Sequence, residues 1–189
     1  MTASENISQI IDLTADEKRR IDEMFKPTNI SKGNFWIKEG KVCDQIAFVQ
    51  SGKLRIFYCN ESGDEVTCYF STPGNFITSF TSFLTNTPTN ENISVIEDSQ
   101  LMVISKKDIE ILSDEMPKIQ IFRRIIAENL FIIMEKRIAM FQSQSAYERY
   151  EKMLQENPEI ILSVPLHYTA SFLGITPQHL SRLRKELTK

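Results

Sequence analysis

The chain has 189 residues, 41% of them apolar and 25% charged, the balance of a folded globular protein rather than a disordered one. No run approaches the roughly eighteen consecutive apolar residues of a membrane span, and Met1–Asn6 lacks the basic-then-apolar layout of a signal peptide, so a cytoplasmic protein with no membrane partner is expected. A net charge of −3 means that any charge meant for nucleic acid must be local.

The first predicted element is a helix. Thr14 followed by Glu17 has capping-box form, Ile21, Met24 and Phe25 supply an apolar face, and Pro27 closes the segment.

From about Ile30 to Ser105 the pattern changes to short runs of β-branched and aromatic residues: 35–37, 46–49, 54–58, 66–70, 93–96 and 101–104. Turn signals fall between them at Gly33, Gly40, Ser51-Gly52, Asn60–Asp64 and Pro73-Gly74-Asn75, and five of the six glycines lie in this region. Many short strands separated by glycine imply an antiparallel sandwich or barrel rather than a βαβ fold. No GxGxxG or P-loop is present. Cys43, Cys59 and Cys68 are odd in number and contain no CxxC pair, which reads as buried or half-buried thiols in a reducing compartment, not as a disulfide framework or zinc site.

Helical character then returns. Ser105–Glu115 reads as a short helix, and Pro117 can begin the next at its first turn. From there to about Phe141 no glycine or proline intervenes, and Ile119, Ile126, Ile133 and Met140 recur every seven residues. A helix of about 25 residues is about 37 Å long. Its apolar surface exceeds what one sheet covers, so pairing with the same helix of a second subunit is expected. A polar hinge at Gln142–Ser145 precedes a helix over Ala146–Glu156 and a break at Asn157-Pro158.

The last segment, Val164–Lys189, carries the strongest functional signal. Ala170 is small where two helices would cross, Gly174 can take a positive φ in the turn, and Leu173, Ile175, Leu180 and Leu183 fill the interior. Thr176 is placed to cap a second helix with Pro177 at its first position. That helix would expose Gln178, His179, Ser181, Arg182, Arg184 and Lys185. Glutamine suits adenine edges, arginine suits guanine, and serine suits either a base or a phosphate. Four basic residues against one acidic between Thr176 and Lys189 give a local +3. His179 reads as a phosphate or base-edge contact or as inert, since His167 is the sole other histidine and no cysteine is near in sequence.

Taken together, the glycine-punctuated strands, long helix and helix-turn-helix resemble the Crp/Fnr superfamily of bacterial transcription regulators over nearly the whole chain. The residues that carry the resemblance are Gly33, Glu39-Gly40, 48–55, Gly63-Asp64-Glu65, 73–76 and 170–182. It implies an α+β protein in three parts. Residues 1–116 would form a cyclic-nucleotide-binding-like antiparallel β-roll (a double-stranded β-helix or jelly roll), 117–143 a dimerisation helix, and 144–189 a helix-turn-helix DNA-binding domain. It also implies a homodimer on a palindromic operator, with RNA polymerase as a further partner and no cofactor. A glutamate common in the family falls at Gln178, a serine at Ser181 and an arginine at Arg182.

Three departures bear on the signal. The positions at which cyclic-AMP receptors hold ribose and phosphate fall near Thr78-Ser79 and Thr89-Asn90, and no Lys or Arg lies between Gly74 and Ser105. A buried cyclic phosphate needs a charge-assisted partner, so cyclic AMP is not expected to bind. An apolar or neutral effector bounded by Phe76, Ser79, Phe80, Thr81, Phe83, Thr89 and Asn90, or a roll filled by its own side chains with no effector, both remain open. Residues 1–42 hold no cysteine, which excludes an N-terminal iron–sulfur cluster of the family's type. The family's β-hairpin wing would follow Lys189, so a wingless reading head is expected. A small-molecule module whose tail no longer binds DNA is the alternative. A cupin-like metalloenzyme needs histidines in the barrel, and residues 1–166 contain none.

Overall fold

The computed structural model describes residues 1–187, and the chain divides into two compact units: Met1–Ile56 with Ser71–Glu128, and Phe57–Phe70 with Asn129–Lys189. Among the described residues no helix is long and apolar enough to cross a membrane, and no three His, Cys, Asp or Glu side chains are grouped to hold a metal.

Two N-terminal helices open the first unit, α1 (Ala3–Ile7) and α2 (Ala15–Met24). Both start on capping boxes, Thr2 with Glu5 and Thr14 with Glu17, so the first-turn N–H groups of each find side-chain acceptors. The Thr14 box was legible in the sequence. α1 was not, because its short polar run buries only Ala3, Ser4 and Ile7. Asp22 of α2 ties it down by accepting from the Ser4 amide at 3.1 Å and its hydroxyl at 2.8 Å.

The sheet contains β1 (Lys26–Ile30), β2 (Phe35–Ile37), β3 (Gln45–Cys59), β4 (Glu65–Ser71), β5 (Phe76–Ile77) and β6 (Asn92–Ser105). Its order is β1-β6-β3-β4, with β2 on β6 and β5 on β3. Pro27 lies within β1, opposite Met102. β1 ends the sheet order, and an edge strand tolerates a missing N–H. The antiparallel sandwich or barrel expected from glycine spacing is the fold observed, with one correction. The runs 46–49 and 54–58 are one 15-residue strand, and 93–96 and 101–104 are one of 14. Gly52 is therefore no hairpin turn. It bends β3 at φ +88°, where an added Cβ would lie 2.5 Å from the Asp98 carbonyl oxygen and 2.6 Å from Ser99 Cα. A side chain there would collide with the neighbouring strand, and glycine permits both the bend and the approach.

Alternating residues of these strands fill the roll: Ala47, Val49, Leu54, Ile77, Ile93, Val95, Leu101 and Val103 are buried against one another. A second apolar cluster joins α1, α2 and the roll to α3 (Phe80–Thr85), α4 (Lys106–Glu115) and the start of α5 (Lys118–Ser143). Ile21, Phe48, Phe83, Leu112 and Phe122 are among its members. Ser105 caps α4 by accepting from the Asp108 amide at 3.1 Å.

The second unit holds the β3–β4 hairpin from Phe57 to Phe70, the rest of α5, and the C-terminal helices. These are α6 (Ala146–Glu156), α7 (Pro158–Ser163), α8 (Leu166–Phe172) and α9 (Pro177–Leu187). Asn157-Pro158 proves to be a helix start rather than only a break, because proline at the first position loses no hydrogen bond. Tyr150, Met153, Ile160, Ile161, Leu173, Leu180 and Leu183 are buried within this unit. Cys43 is buried and Cys68 half-buried, but Cys59, expected to be at least half-buried, is exposed at the end of β3.

Candidate functional site

In the second unit, α8 and α9 are joined by a tight turn. The Ile175 amide donates to the Ala170 carbonyl and the Gly174 amide to that of Ser171, the hydrogen-bond pair of a Schellman motif. Gly174 provides the left-handed residue at φ +68°. The Thr176 hydroxyl then accepts from the His179 amide at 3.2 Å, capping α9. Ala170 and Leu180 are both fully buried, so the two helices approach on a small residue and a leucine.

This packing decides what α9 shows. Thr176, Gln178, His179, Arg182 and Lys185 are exposed, and Ser181 is half-buried. Gln178, Arg182 and Lys185 stand at i, i+4 and i+7, along one face of the helix. Arg184 is half-buried and turned the other way, its Nη2 donating to the Ile161 carbonyl at 3.0 Å. Lys189, the fourth basic residue of the local +3, lies outside the described residues.

Three further residues of this unit carry no sequence signal of their own. Ser171 of α8 donates to the Glu65 carbonyl at 2.7 Å and accepts from the Thr67 amide at 2.9 Å. Arg137 donates to the carbonyls of Phe172 at 3.1 Å and Thr67 at 3.4 Å, with its guanidinium 4.2 Å from the centre of the Phe172 ring. Burial pushes its pKa down from the ordinary arginine value. Arg149 donates to the Leu173 carbonyl at 3.1 Å and lies over the Phe141 ring. Phe70 packs on Phe172 at 5.3 Å. The β3–β4 hairpin and the α8–α9 pair are thus one hydrogen-bonded body.

In the first unit, Ser79 and Thr89, two of the positions matched to a cyclic-nucleotide site, form a closed ring with Glu91. The Glu91 amide donates to Thr89 Oγ1 at 2.9 Å, Ser79 Oγ is 2.7 Å from Thr89 Oγ1, and Ser79 Oγ donates to Glu91 Oε2 at 2.7 Å. A carboxylate only accepts, so the Ser79 proton goes to Glu91 and the Thr89 proton to Ser79. Ser79 and Thr89 are buried, while Thr81 and Asn90 are exposed.

A separate cavity of about 450 Å³ opens between α2, α3, α4 and α5, within the first unit. Phe76, Phe80 and Phe83 line it, whereas Ser79, Thr81, Thr89 and Asn90 do not. Apart from Gln120, Arg123 and Arg124, every lining side chain is a hydrocarbon. The contribution of α4 and α5, with Ile109 and Ile119, was not read from the sequence, because it depends on how those helices return to the roll.

Residues 27–115 match the family model of the cyclic nucleotide-binding domain. No curated protein matches the chain significantly in sequence. Among solved structures, FixK2 from Bradyrhizobium japonicum is 16% identical at a TM-score of 0.76, covering 87% of this chain and 84% of its own. A CooA mutant from Carboxydothermus hydrogenoformans is 16% identical at a TM-score of 0.73, covering 97% of this chain and 83% of its own. A protein from Eubacterium rectale, described as a transcriptional regulator of the Crp/Fnr family, is 16% identical at a TM-score of 0.66. That match covers 94% of this chain and 84% of its own. The chain has the Crp/Fnr fold. The α+β architecture implied by the resemblance therefore holds along nearly its full length, and the structural neighbours include proteins described as transcriptional regulators.

Proposed function

We propose that this protein is a sequence-specific DNA-binding transcription regulator of the Crp/Fnr type that does not answer to cyclic AMP. The observation that carries the reading is the exposed row Gln178, Arg182 and Lys185 on α9, a helix held by a capped glycine turn on α8. Gln178, Ser181 and Arg182 are the base-reading candidates, and Thr176, His179 and Lys185 reach phosphates. Arg184 supports the helix from behind through Ile161.

Residues 1–116 act as the sensor-like roll, 117–143 as the dimer helix and 144–189 as the reading head. The second half of α5 supports the dimer: Phe131 is 72% and Ile138 59% exposed, and Ile132, Ile133 and Met134 are exposed beside them. Large side chains left open along one helix suit pairing with the same helix of a second copy. Two heads would then read half-sites about 34 Å apart, one turn of DNA.

The Ser79–Thr89–Glu91 ring supports the exclusion of cyclic AMP. Glu91 takes the Ser79 proton at the ribose position, Ser79 takes the Thr89 proton at the phosphate position, and no Lys or Arg lies between Gly74 and Ser105 to offset the carboxylate. Selection from a random-sequence DNA library, followed by gel shift and sedimentation, tests the whole reading. A palindromic consensus bound by a dimer is expected. Absence of enrichment would remove it and leave a small-molecule module without DNA binding, and equally tight binding by a monomer would remove the dimer mechanism.

A further inference from the structure

We infer that the cavity between α2, α3, α4 and α5 is a binding site for a free aliphatic carboxylate, with the hydrocarbon tail inside and the carboxylate at Arg123 and Arg124. At about 450 Å³ it lies in the size range of small-molecule pockets. Its body is lined by Ile21, Phe25, Phe83, Leu112 and similar side chains, which offer a ligand nothing but hydrocarbon. A polar or nucleotide-like molecule would lose its hydration there without compensation.

The polar lining is confined to α5: Gln120, Arg123 and Arg124. No carboxylate lines the cavity among the described residues. The lining is therefore apolar except on α5, where it is polar and cationic, which matches an amphiphile with an anionic head and no cationic one. Arg123 is held in place by donating from Nη1 to Ser113 Oγ at 3.2 Å, and its other N–H groups remain to meet a carboxylate bidentately. Arg124 pairs with exposed Glu128, at 3.8 Å. The site is distinct from the Ser79–Thr89–Glu91 ring, none of whose members lines it.

The test is calorimetric titration of the full chain with octanoate, decanoate and dodecanoate, and with decanol, each below its micelle-forming concentration. One ligand per chain is expected, with affinity rising about fourfold per added methylene. Decanoate should bind about tenfold more tightly than decanol, the difference expected of a charge-assisted pair. Arg123→Ala with Arg124→Ala should bring decanoate down to the decanol level and leave decanol unchanged. Ala127→Trp, at an exposed position on the rim, should abolish binding of both while circular dichroism stays native. Absence of saturable binding, or affinity independent of chain length, would overturn the site. Equal binding of acid and alcohol would overturn the head-group assignment. Vesicles of an anionic phospholipid carry the same chemistry in a bilayer and are expected not to compete with decanoate. Competition would overturn the assignment to a free acid. DNA does not enter any of these measurements, so their outcome is independent of the regulatory reading.

Discussion

Gly174 and Phe141 are packed so that a Cβ on the glycine would come within 2.8 Å of the Phe141 ring. The turn between α8 and α9 is therefore constrained twice, by its left-handed backbone and by the ring above it. Gly174→Ala should destabilise the head by about 1–3 kcal/mol, the usual cost of forcing a side-chain-bearing residue into that region together with a tight contact. Thermal melting followed by circular dichroism would show it. An unchanged melting temperature would mean that the ring moves aside freely.

Arg182 and Arg184 separate reading from support. Arg182→Ala should weaken binding to the selected DNA at least tenfold and leave the melting temperature unchanged, since the side chain is exposed. Arg184→Ala should lower stability by about 1–2 kcal/mol, because it deprives the Ile161 carbonyl of a charged donor. Melting curves and gel shifts on both variants give the comparison, and the reverse pattern would exchange the two roles.

Arg137 joins Thr67 and Phe172 through carbonyls and stacks on the Phe172 ring. Arg137→Lys keeps the charge but loses the planar fork and much of the stacking, so it should behave as a disruptive change. Faster amide exchange at Thr67 is expected, with mass spectrometry as the readout. Protection equal to the parent chain would show that Ser171 holds the hairpin alone.

Cyclic AMP should not raise the melting temperature. A ligand at a hundred times its Kd adds about 2.7 kcal/mol, which a thermal-shift assay would register clearly. A clear shift would require the Ser79–Thr89–Glu91 ring to open for the nucleotide.

Acid should act through the helix caps. Glu17 and Glu148 have pKa values below their ordinary 4.5, chiefly because the Thr14 and Ser145 amides donate to the ionised carboxylates. Arg20 does the same for Glu115. A depressed folded-state pKa gives stability that is fully present above the ordinary value and lost as pH falls through the folded one. The melting temperature should therefore hold from neutrality to about pH 5 and fall below about pH 4. Glu17→Gln should flatten part of that fall, measured by melting across the acid range.

What the sequence made legible was local. Thr14 with Glu17, Thr176 with Pro177, and Gly174 each satisfy a neighbour within a few residues, so their spacing carries the information. The roll was legible as a class because its turns concentrate glycine. Gly52 misled for the same reason: glycine marks a close approach as readily as a turn, and only the position of Asp98 and Ser99 distinguishes the two. The role of Glu91 in a ring with Ser79 and Thr89 depends on how two loops meet, which no local spacing records. Ser171 finds its partners 106 and 104 residues away in the hairpin, and no periodicity records such a pairing.

The hairpin's place in the second unit bears on how the C-terminal helices can be moved between proteins. Its transplantable form is two pieces of chain, residues 57–70 and the segment from Asn129 onward. A fusion carrying only the C-terminal piece would leave Ser171 without Glu65 and Thr67, Arg137 without the Thr67 carbonyl, and Phe172 without Phe70. Chimeras built from this chain should fold when the hairpin is grafted along with the helices, and should lose solubility or cooperative melting when it is left behind.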